Sequence, residues 1–495
     1  MDARESEHSD VIIVGAGFSG IGAAYRIREK NPDLTITILE RRERLGGTWD
    51  LFRYPGIRSD SDIFTLSFPW EPWTRPEAIA DGAHIWQYMA DTARKHGIDE
   101  LIRYRTAVHS ADWHSATDTW TVRADRDGTE IVFTARFLFF ASGYYDYDEP
   151  YVPDFPGMGD FRGEVIHPQH WPEGFDPVGK RLVVIGSGAT AVSMIPSLTQ
   201  RAAHVTMLQR TPSYLLSVPR VLPPINAIRR MLPGRTGHLA ARWVMSMFGS
   251  LLWLVSRGAP TVSKRLLRRM TMRELPANYP VDVHFRPPYN PWDQRMCFMV
   301  DSDLLKAVAA GDVEIVTDRV DHFDTGGIVL KSGRHLAADA VITATGLQMQ
   351  ALGGVTLFVD GDKVEPHQRF MYRRRLLEDV PNVAWCMGYT NASWTLGADM
   401  TARAVADLLA YMRSHGYTHA YPHLGHEAMP EQPAFNLQSG YVLRGLGLGA
   451  LPKSGTRRPW MLSHTYVRDA IGHRVEPIDE SMVFGRAGVP ERHPA

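Results

Sequence analysis

The chain has 495 residues, enough for about three domains of typical size, and 44% apolar with 22% charged residues is the composition of an ordinary globular protein. Lysine and arginine number 54 and aspartate and glutamate 55, so the net charge of -1 argues against a nucleic-acid binder that relies on bulk positive charge. Its two cysteines, Cys297 and Cys386, exclude a disulfide scaffold and a zinc site built from cysteine alone, and they favour a reduced, cytoplasmic setting. The first ten residues are polar and charged, so no signal peptide is expected.

The chain opens with a strand, a glycine-rich turn and a helix. Val11–Val14 is a continuous apolar run, which is typical of a buried parallel strand. Three glycines follow in a G-x-G-x-x-G arrangement: Gly15, Gly17 and Gly20. A helical stretch to about Lys30 and a second strand, Thr35–Leu39, complete the unit, and Glu40 stands 20 residues after the last glycine. This spacing predicts a dinucleotide site in which the glycines approach a pyrophosphate and Glu40 accepts hydrogen bonds from a ribose.

The same pattern recurs near the middle of the chain. Leu182–Ile185 is a second apolar run, and a helix to about Gln200 and a strand, His204–Leu208, follow it. The turn between strand and helix is Gly186, Ser187, Gly188, Ala189, Thr190 and Ala191. Here the second strand is followed by Arg210 instead of an acid, and a guanidinium pairs with a 2′-phosphate. The two motifs together predict FAD at the first site and NADPH at the second, with hydride passing from nicotinamide to flavin.

Two further segments resemble each other and divide the chain. Phe137–Gly143 and Ala340–Gly346 are apolar strands that end in Ser or Thr and then Gly, and each is predicted to close an α/β unit. We therefore predict an α/β protein with two Rossmann-like dinucleotide-binding domains and a helical insertion. The expected parts are an FAD-binding domain (1–148 and 381–495), a linker (149–159), an NADP-binding domain (160–215 and 306–380) and a mainly helical insertion in the latter (216–305).

The fate of the reduced flavin depends on what stands beside it. A disulfide reductase needs two neighbouring cysteines, and Cys297 and Cys386 are far apart in the chain. An oxygen-using flavoenzyme needs a group that stabilises a peroxide anion, and arginine is suited to this because it stays charged at any working pH.

Two longer motifs carry a family resemblance. Phe161–Pro172 fits the pattern F-x-G-x-x-x-H-x-x-x-W-P, and Gly47–Asp60 fits a second signature. Both patterns resemble those of Baeyer–Villiger monooxygenases, and the resemblance extends over nearly the whole chain. Three phrases are most similar to the subgroup of the ethionamide-activating monooxygenase: Arg53–Asp62, Asn290–Arg295 and Gly388–Thr395.

The resemblance implies roles for single residues. Arg295 matches the active-site arginine that steadies the flavin peroxide and positions the nicotinamide, and Asp60 matches its carboxylate partner. Arg58 and Ser59 match positions near both cofactors. Further FAD contacts are expected at Ser19, Thr48, Trp49, Asp50, Leu51 and Val108. The NADP site is expected at Gly186, Ser187, Gly188, Ala189, Thr190, Ala191, Val192, Arg210 and Thr211. Many family members have Lys before the catalytic arginine, whereas this chain has Gln294, so NADPH preference rests more heavily on Arg210.

The implied reaction begins when NADPH reduces FAD and O2 adds to give a C4a-peroxide. This peroxide inserts one oxygen atom beside a ketone carbonyl, giving an ester or lactone, and its protonated form oxidises sulfides or thioamides. The expected partners are O2 and a small apolar ketone or sulfur-containing substrate. Two alternatives stay open: a flavin monooxygenase restricted to sulfur or nitrogen, and a redox-sensing flavoprotein without turnover.

Three other segments are read as structural. The aromatic stretch Phe64–Trp73 favours core packing over a substrate cleft. Trp243–Val255 is a 13-residue apolar run, shorter than the roughly 20 residues that span a bilayer. Basic residues follow it, and a wall of the substrate domain is favoured over contact with a membrane surface. His167 is expected in a structural or hinge role, and no metal site is expected.

Overall fold

Two sheets, each with a glycine-rich turn at a carboxyl edge, form the framework of the computed structural model, which describes residues 7–425, 428–435, 437–463 and 465–488. The first strands are β1 (Glu7–Val14), β2 (Ile36–Leu39), β3 (Ile102–Arg103), β4 (Thr106–His114), β5 (Thr119–Arg126) and β6 (Thr129–Phe140). The first helices are α1 (Phe18–Lys30), α2 (Thr48–Leu51), α3 (Ile63–Leu66) and α4 (Gly82–Lys95). Strand β1 pairs in parallel with β2 and β6, and it is buried on both faces, which explains its continuous apolar run.

The chain then leaves for a second sheet. Its first elements are β7 (Glu164–Ile166), β8 (Arg181–Ile185), α5 (Ala189–Leu198) and β9 (His204–Gln209). Next come β10 (Leu215–Val218), α6 (Pro223–Met231), α7 (Gly234–Gly258), α8 (Pro260–Glu274), α9 (Val281–His284) and β11 (Cys297–Val300). The sheet resumes through α10 (Asp303–Ala310), β12 (Val313–Thr317), β13 (Val320–Asp324), β14 (Gly327–Leu330), β15 (His335–Ala337) and β16 (Ala340–Thr343). The strand order is β12-β9-β8-β16-β7 and every pairing is parallel, while β13 to β15 form an antiparallel layer beside it.

The last part of the chain returns to the first sheet. Its strands are β17 (Thr356–Val359), β18 (Asp362–Val364), β19 (Met371–Tyr372), β20 (Leu376–Leu377) and β21 (Val383–Trp385). Strand β17 pairs with β4, and β21 pairs with β6. The sequence placed 306–380 with the second unit, whereas pairing places the strands from Thr356 to Leu377 in the first sheet. These strands are short, and the partner of such a strand is decided by tertiary contacts and not by its own pattern.

The C-terminal part is richer in elements than the sequence suggests. It contains α11 (Trp394–His415), β22 (His419–Pro422), β23 (Glu431–Pro433), α12 (Gly440–Gly447), β24 (Lys453–Gly455), α13 (Tyr466–Val475) and β25 (Met482–Gly485). Helix α11 packs against α1. The stretch after Tyr421 supplies α12, which contributes to the site described below.

The two glycine turns have nearly the same construction. Gly15 has φ +102° and Gly186 has φ +136°, a region that L side chains rarely adopt. A Cβ atom on Gly15 would lie 2.8 Å from the carbonyl oxygen of Ala141, and one on Gly186 would lie 2.3 Å from that of Ala344. In both units the turn therefore presses against the residue that follows the neighbouring strand, β6 or β16, and only glycine fits.

The aromatic stretch after α3 belongs to the core, as the sequence favoured. Phe64, Phe68, Trp70 and Trp73 are buried, and the rings of Phe68 and Trp70 stack with centroids 4.6 Å apart. Trp70 also stacks on Tyr25 of α1 at 3.7 Å. These rings join helix α1 to the segment that precedes α4.

Helix α7, which contains the apolar run Trp243–Val255, is longer and more exposed than the sequence predicted. It covers 25 residues, well beyond the apolar run itself. Within the described ranges one helix, Arg235–Gly258, has the length and apolar composition needed to cross a membrane. Only 22% of the residues in its most apolar stretch are buried. The run does form a wall on one side, where Trp253 packs beside Trp292 and Met296, but most of its large apolar side chains are exposed.

Candidate active site

A single cavity of about 1110 Å³ lies where the carboxyl ends of the two sheets face each other. Ligands of open α/β sheets bind at this edge, because the helices that follow the strands direct their free N–H groups towards it. The predicted residues that line the cavity are Gly15, Gly17, Ser19, Glu40, Thr48, Trp49, Arg58, Ser59, Asp60, Val108, Gly186, Ser187, Gly188, Ala189, Thr190, Arg210, Thr211 and Arg295.

Several residues expected to touch a cofactor lie behind the lining instead. Ala191 and Val192 are fully buried in the core under the second sheet, because side chains beyond the first residues of α5 turn towards the sheet. Asp50 is buried in an ion pair with Arg42, whose Nη2 lies 2.8 Å from Oδ2, and Leu51 packs against the same core. Gly20 also lies behind the lining; a Cβ atom on it would lie 1.9 Å from the carbonyl oxygen of Gly15, so it lets α1 pack closely on the turn.

One charged pair, of which both members line the cavity, joins its two halves. Nη2 of Arg295, just before β11, lies 2.7 Å from Oδ2 of Asp60, in the loop before α3. About a third of each side chain is accessible (33% and 30%), and both line the cavity. Asp60 raises the pKa of Arg295 well above its ordinary value, although burial works in the opposite direction. The predicted pairing therefore exists, and it places a permanent positive charge in the cavity wall.

Three tyrosines surround this pair, and the sequence reasoning missed them. Tyr144 and Tyr145 follow β6 and their hydroxyls are hydrogen-bonded to each other, while Tyr441 of α12 lines the cavity close to Arg295. Burial raises the pKa of all three hydroxyls, so each stays protonated near neutral pH. The position of Tyr144 and Tyr145 directly after a parallel strand was a usable signal, whereas nothing in the local sequence indicates Tyr441.

Another aromatic contact extends this wall towards the first turn. The ring of Trp394, at the start of α11, stacks on Tyr144 with centroids 4.6 Å apart. Its Nε1 donates a hydrogen bond to Oγ of Ser19 at 3.1 Å. Ser19 belongs to the first residues of α1, so this contact ties the C-terminal part of the chain to the glycine turn.

Glu40 braces the first turn as well as lining the cavity. Its Oε2 accepts a hydrogen bond from the N–H of Ala16 at 2.7 Å, and Oε1 accepts one from the N–H of Arg42 at 2.9 Å. Only 4% of the residue is exposed, which excludes the simple interpretation of a solvated strand end. Burial raises its pKa, while the two N–H groups oppose that rise.

Two buried polar atoms of the lining lack a protein partner within the described residues. They are Oγ of Ser142, next to the first turn, and Nη2 of Arg58, whose Nη1 pairs with Asp303. Buried polar groups are normally satisfied, so these two fit a polar ligand in the cavity. Together with the glycine cradles, the residues present fit a dinucleotide on each side.

Two exposed arginines lie at the carboxyl edge of the second sheet. Arg210 follows β9, and Arg319 follows β12, which pairs with β9 so that Thr317 stands opposite Gln209. Both line the cavity, and in the described part of the chain neither guanidinium has a carboxylate partner. Asp318 precedes Arg319, and its N–H donates to the carbonyl oxygen of Gln209 at 3.0 Å; hydrogen bonds from Ser332 lower the pKa of its carboxyl, which stays charged. Arg319 was missed because only the β9–β12 pairing brings it beside Arg210.

Cys297 and His167 have no place in proton or thiol chemistry at neutral pH. Burial raises the pKa of the Cys297 thiol to about 12, so the thiol stays neutral although it lines the cavity. His167 lies away from the lining, and its Nδ1 accepts a hydrogen bond from the N–H of Gln169 at 3.1 Å. Burial lowers the pKa of His167 to about 4, in agreement with the structural role expected for it.

Two dinucleotide cradles face one cavity, and the Arg295–Asp60 pair lies in its wall. The sequence has no pair of neighbouring cysteines. These features are those of a flavin- and NADP-dependent oxygenase. A model of the family "Flavin-binding monooxygenase-like" matches residues 68–352, and one of an NAD(P)-binding Rossmann-like domain matches residues 13–75. The chain belongs to the flavin-binding monooxygenase-like family.

Curated relatives match almost end to end. The FAD-containing monooxygenase EthA of Mycolicibacterium smegmatis is 46% identical over 476 residues, covering 96% of both chains. EthA of Mycobacterium tuberculosis is 45% identical over 487 residues, covering 98% of this chain and 99% of its own. The enzyme is accordingly an FAD- and NADPH-dependent monooxygenase of the Baeyer–Villiger and flavin monooxygenase class, which confirms the predicted class and cofactors.

Solved structures show the same fold. A steroid monooxygenase bound to NADP superposes with a TM-score of 0.78 at 22% identity, covering 97% of this chain and all of the other. The cyclohexanone monooxygenase of Rhodococcus sp. Phi1, bound to NADP+, gives a TM-score of 0.74 at 19% identity over 98% of this chain. At this identity the likeness concerns the fold alone, and it confirms the predicted α/β architecture.

Proposed function

We propose that this enzyme inserts one oxygen atom from O2 into small apolar ketones, giving esters or lactones, and that it also oxidises sulfides or thioamides. One observation carries the proposal: the Arg295–Asp60 pair stands in the cavity wall between the two glycine turns. A fixed cation at that place favours a reaction in which negative charge develops on oxygen.

The bound flavin, once reduced by NADPH, supplies the electrons that activate O2. The protein's part is electrostatic. Arg295 presents a positive charge that does not titrate at working pH, and Asp60 holds its guanidinium in one orientation at 2.7 Å. The backbone N–H of Arg295 donates a hydrogen bond to Oγ of Ser439 at 3.3 Å, which ties this residue to the start of α12. Because these groups are already oriented, little reorganisation is needed when charge develops beside them.

The rest of the wall suits an apolar substrate. Phe298, Leu66 and Trp394 line the cavity together with Arg295. Apolar side chains exclude water, and this strengthens the field of a nearby charge and keeps a reactive oxygen species from being lost to solvent. The neutral hydroxyls of Tyr144 and Tyr145 can donate a hydrogen bond to a carbonyl oxygen.

Nucleotide selection is assigned to the two strand ends. Glu40 would accept a hydrogen bond from the ribose of FAD and would repel a phosphate, while Arg210 and Arg319 would bind the 2′-phosphate of NADPH. Arg319 would take the place of the lysine that is absent at Gln294. Arg58 and Ser59 line the same cavity and would contact both cofactors. The predicted cytoplasmic location is kept as part of this proposal, and two buried free thiols are compatible with it.

The test is product analysis with purified, yellow enzyme in air, NADPH and isotopically labelled O2. The panel contains linear ketones, cyclic ketones and thioethers. We expect esters and lactones that carry one labelled oxygen atom, together with sulfoxides from the thioethers. The same assay with Asp60→Asn enzyme should give less ester for each NADPH consumed, because Arg295 is no longer held in place.

Two results would contradict the proposal. Sulfoxides without any ester from the ketones would establish the narrower alternative of sulfur or nitrogen oxygenation. Flavin reduction without any oxygenated product from the whole panel would favour a redox-sensing flavoprotein.

A further inference from the structure

Helix α7 presents one face of large apolar side chains to the outside. These residues, called the apolar strip below, are Trp243, Val244, Met247, Phe248, Leu251, Leu254 and Val255. Their spacing of three or four residues places them on one side of the helix, and each is at least 40% exposed. A continuous apolar face of this kind on the surface of a globular protein marks an interaction site.

The opposite face of α7 is anchored in the protein by polar contacts. Nε2 of His238 donates to the carbonyl oxygen of Phe68 at 3.0 Å. Nη1 of the buried Arg242 donates to the carbonyl oxygens of Thr65 and Ser67, both at 2.7 Å. Drawing α7 into the middle of a bilayer would break these buried hydrogen bonds. The helix is therefore built to lie along a surface with its outer face free.

The surrounding surface is basic. Residues 211–273 contain ten arginines and one lysine but no aspartate or glutamate, in a chain whose net charge is -1. Arg257 pairs with Asp293 and Arg268 with Asp282. Six basic side chains of α6, α7 and α8 have no carboxylate partner in the described ranges: Arg230, Arg235, Lys264, Arg265, Arg269 and Arg273.

Helix α8 extends the apolar surface among these charges. Val262, Leu266 and Met272 are each exposed by 46% or more, and Arg265 and Arg269 stand beside them in the sequence. Large apolar side chains on one face, with basic residues at its border, are the features of a helix that lies at the interface of an anionic membrane.

We propose that α7 and α8 form a docking surface for an anionic lipid bilayer. The apolar strip enters the boundary between headgroups and acyl chains, and the unpaired basic residues contact the anionic headgroups. A second copy of the chain is a poorer occupant, because a two-fold contact through this surface brings the unpaired arginines of both copies together.

The docked helices also adjoin the cavity. Trp253 of α7 and Leu267 of α8 pack in one cluster with Trp292 and Met296, which flank Arg295 in the chain. An apolar substrate dissolved in the membrane would therefore be held close to the cavity wall. This consequence rests on the proposed function, whereas the docking itself does not.

The experiment is flotation of the flavin-loaded, full-length enzyme with vesicles. One set is made of phosphatidylcholine alone, and the other contains roughly one third phosphatidylglycerol, enough to create a strongly negative surface. We expect the enzyme to float with the anionic vesicles, to stay at the bottom with neutral vesicles, and to be released by high salt.

Variants separate the contribution of the apolar strip from that of the basic residues. Phe248→Ser/Leu251→Ser and Arg265→Glu/Arg269→Glu should each weaken binding to anionic vesicles by at least about tenfold, since a single basic residue near such a surface contributes about fivefold. The matched control is Val165→Ser/Val178→Ser at the second sheet, which removes two exposed apolar side chains (37% and 56%) outside α6, α7 and α8 and should bind like the parent. NADPH oxidation without lipid serves as the folding control for all three.

Three results would overturn the proposal. In the first, the parent enzyme is absent from both floated fractions. In the second, the control variant loses as much binding as the strip variant. In the third, the parent enzyme does not bind vesicles but elutes as a dimer, and Phe248→Ser/Leu251→Ser converts this dimer to a monomer. That result would assign the surface to a second copy of the chain.

Discussion

The two glycine turns adopt nearly the same backbone conformation, yet the strands that follow them end on opposite charges. Gly15 and Gly186 both have positive φ and both press against the residue after a neighbouring strand. After β2 stands Glu40, which is buried and braces its own turn, whereas Arg210 after β9 is exposed and free of a carboxylate partner in the described chain. The cradle for a pyrophosphate is thus shared, and the choice of nucleotide depends on the end of the second strand.

The space between the two units holds what neither unit has alone. Arg295 comes from the segment before β11 and Asp60 from the loop before α3, so each half of the molecule contributes one partner. Binding and chemistry are therefore separated in the structure: the glycine turns are repeated, whereas Arg295 and Asp60 meet in the space that both units share. This division can be tested by changing each part in turn.

The largest effect is expected from the charged pair. Arg295→Ala should lower the rate of ester formation by about a thousandfold, because a unit charge about 4 Å from the reacting oxygen is worth roughly 4 kcal/mol at an effective dielectric constant of about 20. Bound flavin, measured from its absorbance, should be unchanged. Arg444→Ala, which removes another guanidinium from the same cavity wall, is the matched control and should cost less than about tenfold. Equal losses in both variants would contradict the special role of Arg295.

The next effect separates folding from cofactor binding within the first turn. Gly15→Ala should lower the free energy of unfolding by roughly 3 kcal/mol, because its φ is positive and its Cβ would meet the Ala141 carbonyl at 2.8 Å. Gly17→Ala should leave the cofactor-free protein as stable as the parent, since the nearest atom to its Cβ is 3.9 Å away, but it should weaken FAD binding. Chemical denaturation and flavin titration measure the two quantities. A stable Gly15→Ala protein would show that the turn is not under this constraint.

The third prediction concerns the second strand end. Arg210→Ala and Arg319→Ala should each raise the KM for NADPH by about tenfold to a hundredfold, the range expected when a charge-assisted hydrogen bond is lost. The KM for NADH should change little, because NADH lacks the 2′-phosphate. Arg201→Ala, on the same unit but paired with Asp176 at 2.8 Å, is the control. A parallel rise for both nucleotides would indicate a general loss of structure instead of a lost phosphate contact.

The smallest effect is a pH dependence of stability that arises at α7. Burial lowers the pKa of His238 to about 4, and Nδ1 of His238 is buried without a hydrogen-bond partner in the described residues. The neutral ring stabilises the fold above the ordinary histidine pKa near 6.5, and this contribution is lost as the pH falls towards 4. His238→Gln keeps a donor for the Phe68 carbonyl and should reduce the loss of stability between pH 7 and pH 5 by about 1 kcal/mol. Unfolding midpoints at the two pH values measure it, and an unchanged difference would contradict the assignment.

Local pattern was sufficient for the repeated parts of the molecule. The helix after Gly17 ends at Lys30 as expected, and β2, β8 and β9 lie within one residue of their predicted bounds. Strand β1 begins four residues before its predicted start at Val11. Such runs are buried on both faces of a parallel sheet, so their composition alone reveals them. The glycine positions were equally clear, because no other residue fits a backbone with positive φ pressed against a neighbouring strand.

Pairing between distant segments required the structure. Strand Thr356–Val359 pairs with β4 of the first sheet, Tyr441 lies close to Arg295, and Arg319 lies beside Arg210. In each case the two partners are far apart in the chain. The exposure of the apolar strip on α7 was not predicted from the sequence either, because an apolar run has the same pattern whether a core or a membrane covers it.

The sequence by itself determined the two dinucleotide cradles, the charge that follows each of them and the family. These depend on residue types at fixed short spacings, where steric and electrostatic requirements act locally. Only the tertiary structure decided which side chains surround Arg295, which strands share a sheet and which face of α7 is left uncovered, because these depend on contacts whose two partners lie hundreds of residues apart.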